Sequence, residues 1–246
     1  MSKWAIATRL PFITEKEVED ALNNGDILRT HLLRPAWHIV SRDNIRWMLQ
    51  LSAPQIEKLV AGYNRNLGLD LDLRNKANTI IEQALHQHQN LTRDELMQAL
   101  AQHNIIASDI RAAHIMFHAE LTGLVCSGVR KGKAITYALL DSRAPLTPPI
   151  HREEALNKLA KLYFQSHSPA TMKNFSWWSG LPMGDVRKAI ESIKEQLEII
   201  DLEQITYYNL PSPTLPVVET DLFLLLAFDE YVVSYANRTA ALPPSV

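Results

Sequence analysis

Cysteine is almost absent from this 246-residue sequence, in which Cys126 is the only one. A lone cysteine cannot form an internal disulfide, and such scarcity is typical of proteins that fold in a reducing cytoplasm. We interpret Cys126 as a small apolar filler rather than a nucleophile. The longest apolar run, residues 222–228, is far too short to cross a bilayer. No basic segment followed by an apolar one opens the chain, so we expect a cytoplasmic protein without membrane contact.

An excess of positive charge is also lacking, because 25 Lys and Arg face 27 Asp and Glu. The balance changes along the chain: residues 1–76 hold 11 Lys and Arg against 9 Asp and Glu, whereas residues 211–246 hold 1 against 4. The net charge therefore gives no global attraction to nucleic acid. Any contact with DNA should depend on local patches and favour the N-terminal half.

Signatures of metal or nucleophilic chemistry are missing as well. The spacing of His114 and His118 suits a metal ion, but no third ligand is near in sequence. Asp229 and Glu230 are neighbours on a predicted strand and would point to opposite faces. The sequence also has no phosphate-binding loop. We therefore expect neither a metal nor a small-molecule cofactor.

A repeated pattern of helices followed by a two-stranded hairpin organises the chain. In residues 75–142 the predicted helices are 77–88, one that opens at the capping box Thr92 to Glu95, and one capped by Ser108. The last should carry Ile110, Ala113, Phe117, Leu121 and Leu124 on its inward stripe. Strands 125–127 and 134–140 follow. This order predicts a winged helix-turn-helix.

The same pattern recurs in residues 150–210, after a proline-rich linker at 143–149. Helices are predicted at 153–165, at 169–178 with Gly180 ending it, and at 183–196. Strands are predicted at 197–202 and 205–210, around Glu203-Gln204. In the adjacent pair Trp177-Trp178, one indole should pack in the core and the other against a neighbouring unit.

The two ends of the chain show only parts of this pattern. Residues 1–74 predict one helix, a hairpin of strands 27–33 and 37–40, and bridging helices 41–51 and 54–67. Residues 211–246 predict strands 222–228 and 229–233, the start of a β domain. We expect an α+β fold, mostly α, with tandem winged helices, and we infer that sequence is missing at both ends relative to a complete protein.

Clustered cations are the candidates for DNA contact. Arg111, His114 and His118 share one face of the third helix of the middle unit, where a helix-turn-helix can enter a groove. The alternative is a solvated helix face with two incidental histidines, since winged helices often stack on each other through this face. Arg130, Lys131 and Lys133 lie on the hairpin turn, where cations grip phosphates. Arg187 and Lys188 form a second pair on the last unit, beside acidic neighbours.

Several stretches resemble the AlkZ-like family of helix-turn-helix DNA glycosylases, which excise alkylated or crosslinked bases. The stretches that carry the resemblance are 27–40, 43–49, 169–171, 175–181 and 227–231. The resemblance implies tandem winged helices around a DNA-sized concavity, and double-stranded DNA as the partner. The family's catalytic Gln-x-Gln or Gln-x-Asp motif would precede the stretch that begins at Lys3, and it has no counterpart there. The family's Thr-x-His appears here as Ala36-Trp37-His38, so only the histidine carries over.

His38 and Arg34 are accordingly the site residues that the resemblance implies, although a buried hairpin held by hydrogen bonds explains both equally. Without the glutamine motif, the sequence predicts a DNA-binding scaffold of the glycosylase type that does not itself cleave. A non-catalytic transcription or architectural factor and a protein-interaction module stay open as alternatives. Salt-dependent DNA affinity would separate the DNA-binding alternatives from the last one.

Overall fold

The computed structural model describes residues 3–10, 12–211 and 224–238. The chain divides into two compact units, Glu15–Pro149 and the pair Met1–Thr14 with Ile150–Val246. The predicted mostly-α, α+β fold class is confirmed. The four-part domain division given above remains a prediction.

The unit Glu15–Pro149 contains two hairpins and a set of packed helices. Its elements are α2 (Glu15–Asn24), β1 (Ile27–Leu32), β2 (Ala36–Ser41), α3 (Ile45–Asn66), α4 (Leu71–Gln87), β3 (Leu91–Thr92), α5 (Arg93–Gln102), α6 (Asp109–Leu121), β4 (Val125–Ser127), β5 (Thr136–Leu139) and α7 (Leu140–Arg143). Strands β1 and β2 form an antiparallel pair, and β5 lies between β3 and β4 in a three-stranded antiparallel sheet. Helices α4, α5 and α6 with this sheet have the element order of a winged helix.

The capping box predicted at α5 is present. The Thr92 side chain accepts a hydrogen bond from the Glu95 backbone N–H, and the Glu95 carboxylate accepts one from the Thr92 N–H. These bonds satisfy backbone donors that the first turn of a helix leaves without partners. Leu96 and Leu100 follow on the buried face and pack in the core of α4, α5 and α6.

The second unit repeats this order. Its elements are α1 (Lys3–Ala7), α8 (Arg152–His167), α9 (Met172–Ser179), α10 (Met183–Glu191), a 3₁₀ turn (Lys194–Gln196), β6 (Glu198–Leu202), β7 (Ile205–Asn209) and α11 (Glu230–Val233). Gly180 ends α9 in the left-handed conformation, which glycine adopts without steric cost. Tyr163, Phe164 and Phe175 are completely buried, and Trp178 joins them while Trp177 stays half exposed. Trp178 therefore takes the core position that the sequence predicts for one of the pair.

Four local predictions are wrong. First, α3 is one helix of 22 residues that continues through Pro54, not two helices. Proline removes one backbone hydrogen bond, but the buried Ile56 and Val60 beyond it pack against Phe117 and Leu121 of α6 and so hold the helix together. Second, Glu230–Val233 is a helical turn and not a strand, with the Asp229 carboxylate capping it through the Tyr231 N–H.

The third correction concerns α6. Ile110, predicted to face inward, is 65% exposed, and the core side of the helix is formed by Ala112, Ile115 and Met116. Phe117 and Leu121 pack instead against α3. The helix is covered on two sides, so a single stripe does not describe it. The strand predicted at 222–228 is also not formed at residues 224–228, which are loop and turn, and its residues 222 and 223 lie outside the described residues.

Candidate functional site

The β1–β2 hairpin presents two different faces because side chains alternate along a strand. Leu28, Thr30 and Leu32 are each at most 1% exposed and face the core. Arg29 and His31 share the opposite face of β1. Trp37 of β2 pairs directly with His31 across the hairpin. One arginine, one histidine and one tryptophan are thereby gathered on one surface.

His31 is held by a buried carboxylate. Its Nδ1 contacts Oε2 of Glu120 from α6, and the same oxygen accepts a hydrogen bond of 3.3 Å from the His31 backbone N–H. Glu120 is 1% exposed. The imidazole also meets Phe117 edge to face, with ring centroids 4.4 Å apart. Ring orientation is therefore fixed by one carboxylate and one aromatic neighbour.

Arg29 lies over Trp37, with its guanidinium carbon 4.2 Å from the ring centroid. This is a cation–π contact, which gains strength when the cation is removed from water, and Arg29 is buried. The Arg29 backbone N–H donates to Ser127 Oγ of β4 at 2.9 Å. The hairpin is thus anchored to the winged-helix sheet beside it.

These side chains line a cavity of about 680 Å³ between the hairpin, α3, α6 and the sheet. Apolar and aromatic groups form most of its wall. Its lining consists of Arg29, His31, Pro35, Ala36, Trp37, Val60, Tyr63, Arg93, Ala113, His114, Met116, Phe117, Ile135 and Tyr137. Burial raises the pKa of the Tyr137 hydroxyl to about 12, so it stays protonated. The lining carries two arginines and no carboxylate or carboxamide side chain.

His38 and Arg34 lie elsewhere on the hairpin. His38 pairs with Thr30 and therefore occupies the other face from Trp37, with its Nδ1 3.0 Å from the Ala36 carbonyl oxygen. Arg34 lies in the turn between the strands. Neither residue lines the cavity, so their catalytic assignment stays a prediction that this geometry does not support. Sequence reasoning passed over His31, although its alternation with Leu28, Thr30 and Leu32 was visible.

The predicted groove face of α6 is occupied by neighbouring helices. Arg111 donates to the Leu67 carbonyl at 2.8 Å, and His114 Nδ1 lies 2.8 Å from Asn64 Oδ1. Burial and the charge of Arg74 lower the pKa of His114. This face is therefore covered within the unit by α3 and the residue that follows it, and it is not a solvated face. Contact of these side chains with DNA stays a prediction that this geometry does not favour.

His118 is buried in a polar cluster. Its Nδ1 lies 2.9 Å from Glu57 Oε1, and Arg74 donates to the same carboxylate at 2.8 Å. Hydrogen bonds from His118 and Arg74 hold the pKa of Glu57 below its usual range. The cluster borders a second cavity of about 630 Å³. A side chain that is 4% exposed cannot reach a phosphate without rearrangement.

The wing cations are accessible. Lys133 is exposed, Lys131 donates to Glu95 at 2.8 Å, and Arg130 lies 3.7 Å from Glu19. Hydrogen bonds from the Lys131 ammonium and from the backbone N–H and hydroxyl of Thr92 lower the pKa of Glu95 to about 2. In the other unit, Arg187 and Lys188 are exposed on α10.

Three further features of the described residues bear on function. Within residues 3–10, 12–211 and 224–238, no group of three or more His, Cys, Asp or Glu is placed to hold a metal ion. In the same ranges no helix has the length and apolarity needed to span a membrane. Burial raises the pKa of the Cys126 thiol to about 12, which keeps it unreactive.

Comparison with known proteins places the chain in context. A family model described as DNA glycosylase AlkZ-like matches residues 1–246. The solved structure of Streptomyces sahachiroi DNA glycosylase AlkZ is similar, with a TM-score of 0.67 at 20% identity over 85% of this chain. The chain spans 60% of that structure's length, and a likeness at this identity concerns the fold. No curated protein matches the chain.

Proposed function

Because this chain belongs to the AlkZ-like DNA glycosylase family, we propose that it binds double-stranded DNA as a scaffold of the base-excision type. The observation that carries the proposal is the family match over residues 1–246. The two helix-and-wing units support it, because winged helices commonly dock on duplex DNA.

The cations on the wing of the unit Glu15–Pro149 are the proposed phosphate contacts. Arg130, Lys131 and Lys133 extend from a turn that Gly132 allows through its positive φ of 59°. Contacts of this kind position a protein on the duplex without reading sequence. Arg187 and Lys188 are proposed as a second, smaller contact.

Cleavage of a glycosidic bond places different demands on the site. It needs a polar group that positions water and stabilises an oxocarbenium-like transition state. Among the described residues that line the cavity there is no carboxylate or carboxamide. We therefore expect no base release from this chain alone.

The test measures binding and excision together on the 246-residue chain. We expect affinity for duplex DNA that falls steeply with salt, because bound phosphates release counterions. We also expect no release of N7-methylguanine from methylated duplex. Affinity that does not depend on salt would contradict the DNA-binding proposal. Release would contradict the second expectation, and His31→Ala beside His38→Ala would then show which face of the hairpin carries the chemistry.

A further inference from the structure

The hairpin β6–β7 differs in charge from the wing that is proposed to contact phosphates. Residues 197–210 contain Glu198, Asp201 and Glu203 and no lysine, arginine or histidine. All three carboxylates are exposed. Because every formal charge on this hairpin is negative, it repels a phosphate backbone. Its partner must therefore be something other than DNA.

One face of this hairpin is apolar and exposed. Ile200 pairs with Tyr207 and Leu202 pairs with Ile205, and directly paired residues lie on the same face of an antiparallel ladder. Ile200, Leu202 and Ile205 are 42%, 60% and 41% exposed, and Tyr207 is half-buried. Apolar side chains that meet water at neighbouring positions, with charged groups around them, are typical of a surface that binds another protein.

The outer edge of β6 offers backbone hydrogen bonds. Residues of an antiparallel strand direct their N–H and C=O alternately to one neighbouring strand and to the other side. Tyr208 exchanges two hydrogen bonds with Ala170, so its backbone groups point away from β6. Ile199, which lies opposite Tyr208, and Asp201, two residues further on, therefore direct their own groups to the outer edge. No strand among the residues that the structure describes lies along that edge.

We propose that β6 binds an extended segment of a partner protein, which joins the sheet as a strand and alternates apolar with basic side chains. Backbone groups at Ile199 and Asp201 form the new ladder, as in other complexes in which a peptide adds to a sheet edge. The apolar side chains of the segment lie beside Ile200 and Leu202. Its lysines or arginines lie on the opposite face, beside Asp201. This inference does not depend on DNA binding.

Charge selects this partner over segments of the chain itself. A second copy of β6 would bring the carboxylates of both copies together, and like charges on neighbouring strands are destabilising. Residues 211–246 hold 1 Lys or Arg against 4 Asp and Glu, so the same repulsion disfavours them. A basic segment has the complementary charge.

Two synthetic peptides test the choice of partner. One is a labelled hexapeptide that alternates valine and lysine, and its control has glutamate in place of lysine. With the full chain at low salt, anisotropy should show the lysine peptide binding at least about tenfold more tightly. Asp201→Lys should reduce this ratio severalfold. The matched control Glu195→Lys, at an exposed position outside the hairpin, should leave the ratio unchanged.

A proline at the outward N–H tests whether the peptide adds as a strand. Ile199→Pro removes that donor without removing a bond to β7, a change that edge strands tolerate, and it should abolish binding of the lysine peptide. If melting curves show that this variant does not fold, a lysine peptide with every backbone nitrogen methylated makes the same test on the wild-type chain. It keeps the side chains and the charge but cannot donate to β6.

Several results would overturn the inference. They are failure of the wild-type chain to bind the lysine peptide, equal binding of the two peptides, and undiminished binding by folded Ile199→Pro or by the methylated peptide. Sedimentation that shows a dimer for the wild-type chain and a monomer for Ile199→Pro would also overturn it, because β6 would then pair with a second copy.

Discussion

Neutralising the wing is the sharpest perturbation of DNA binding that the structure offers. In the variant Arg130→Gln, Lys131→Gln, Lys133→Gln, three accessible cations disappear from one turn. Each phosphate contact contributes about 0.9 to the slope of log affinity against log salt, so the slope should become shallower by about 2 to 2.7. Between 50 and 200 mM salt, a change of about 2.7 removes roughly 40-fold of the salt dependence.

The lower bound of this range reflects the partners that the cations already have. Lys131 is bonded to Glu95, and Arg130 lies near Glu19, so each must exchange one anion for another. Exposed ion pairs contribute little net stability, and the exchange should be inexpensive. The cost of breaking these ion pairs reduces the number of phosphates that the wing engages, but it does not abolish the change in the salt slope.

The assay is fluorescence anisotropy with a labelled duplex at several salt concentrations. The matched control Lys16→Gln, Lys58→Gln, Lys76→Gln removes the same net charge from exposed positions of the same unit. An unchanged slope for the wing variant would refute the assignment. An equal change in the control would show that only net charge matters, and would refute it too.

Three further predictions follow from individual contacts. Glu95→Gln keeps the capping box, which accepts Gln at this position, but frees Lys131 from its ion pair. DNA affinity measured by anisotropy should therefore rise severalfold. A fall in affinity would contradict the proposed exchange of Glu95 for a phosphate at Lys131. Glu57 has a lowered pKa in the folded protein, so its contribution to folding stability is present above about pH 4.5 and is lost as the pH falls through the folded pKa. Between about pH 5 and 3, the melting temperature should therefore drop less for Glu57→Gln than for wild type. Parallel curves of melting temperature against pH would contradict this. Phe164→Ala empties a fully buried site and should cost about 3–5 kcal/mol of unfolding free energy in urea titration, whereas a loss under about 1 kcal/mol would mean that the aromatic core reorganises.

Local signals in the sequence predicted much of the fold. The capping box at Thr92 and the glycine stop at Gly180 act within one turn of chain, and both appear in the structure. The hairpin at Glu203-Gln204 also appears, with both residues at positive φ as a tight two-residue turn requires. Each of these features depends on neighbours in sequence, which is why sequence alone could predict it.

The candidate site depended on contacts that sequence does not contain. Alternation along β1 shows that Arg29 and His31 share a face, but not that α6 lies over that face. Glu120, which fixes His31, is 89 residues away in sequence. The family resemblance directed attention to His38, which the register places on the other face. The helix break predicted before Pro54 is absent for a similar reason, because packing of α3 against α6 is a tertiary effect.

The covered state of α6 changes what kind of DNA recognition the unit Glu15–Pro149 can provide. Reading base edges in the major groove needs an exposed helix or β-ribbon that enters it. Here Arg111 and His114 bond to α3 and the residues that follow it, so these side chains are engaged within the protein. The exposed cations on the wing are the proposed phosphate contacts, and phosphates carry no sequence information. The unit Glu15–Pro149 should therefore bind duplex DNA without sequence preference.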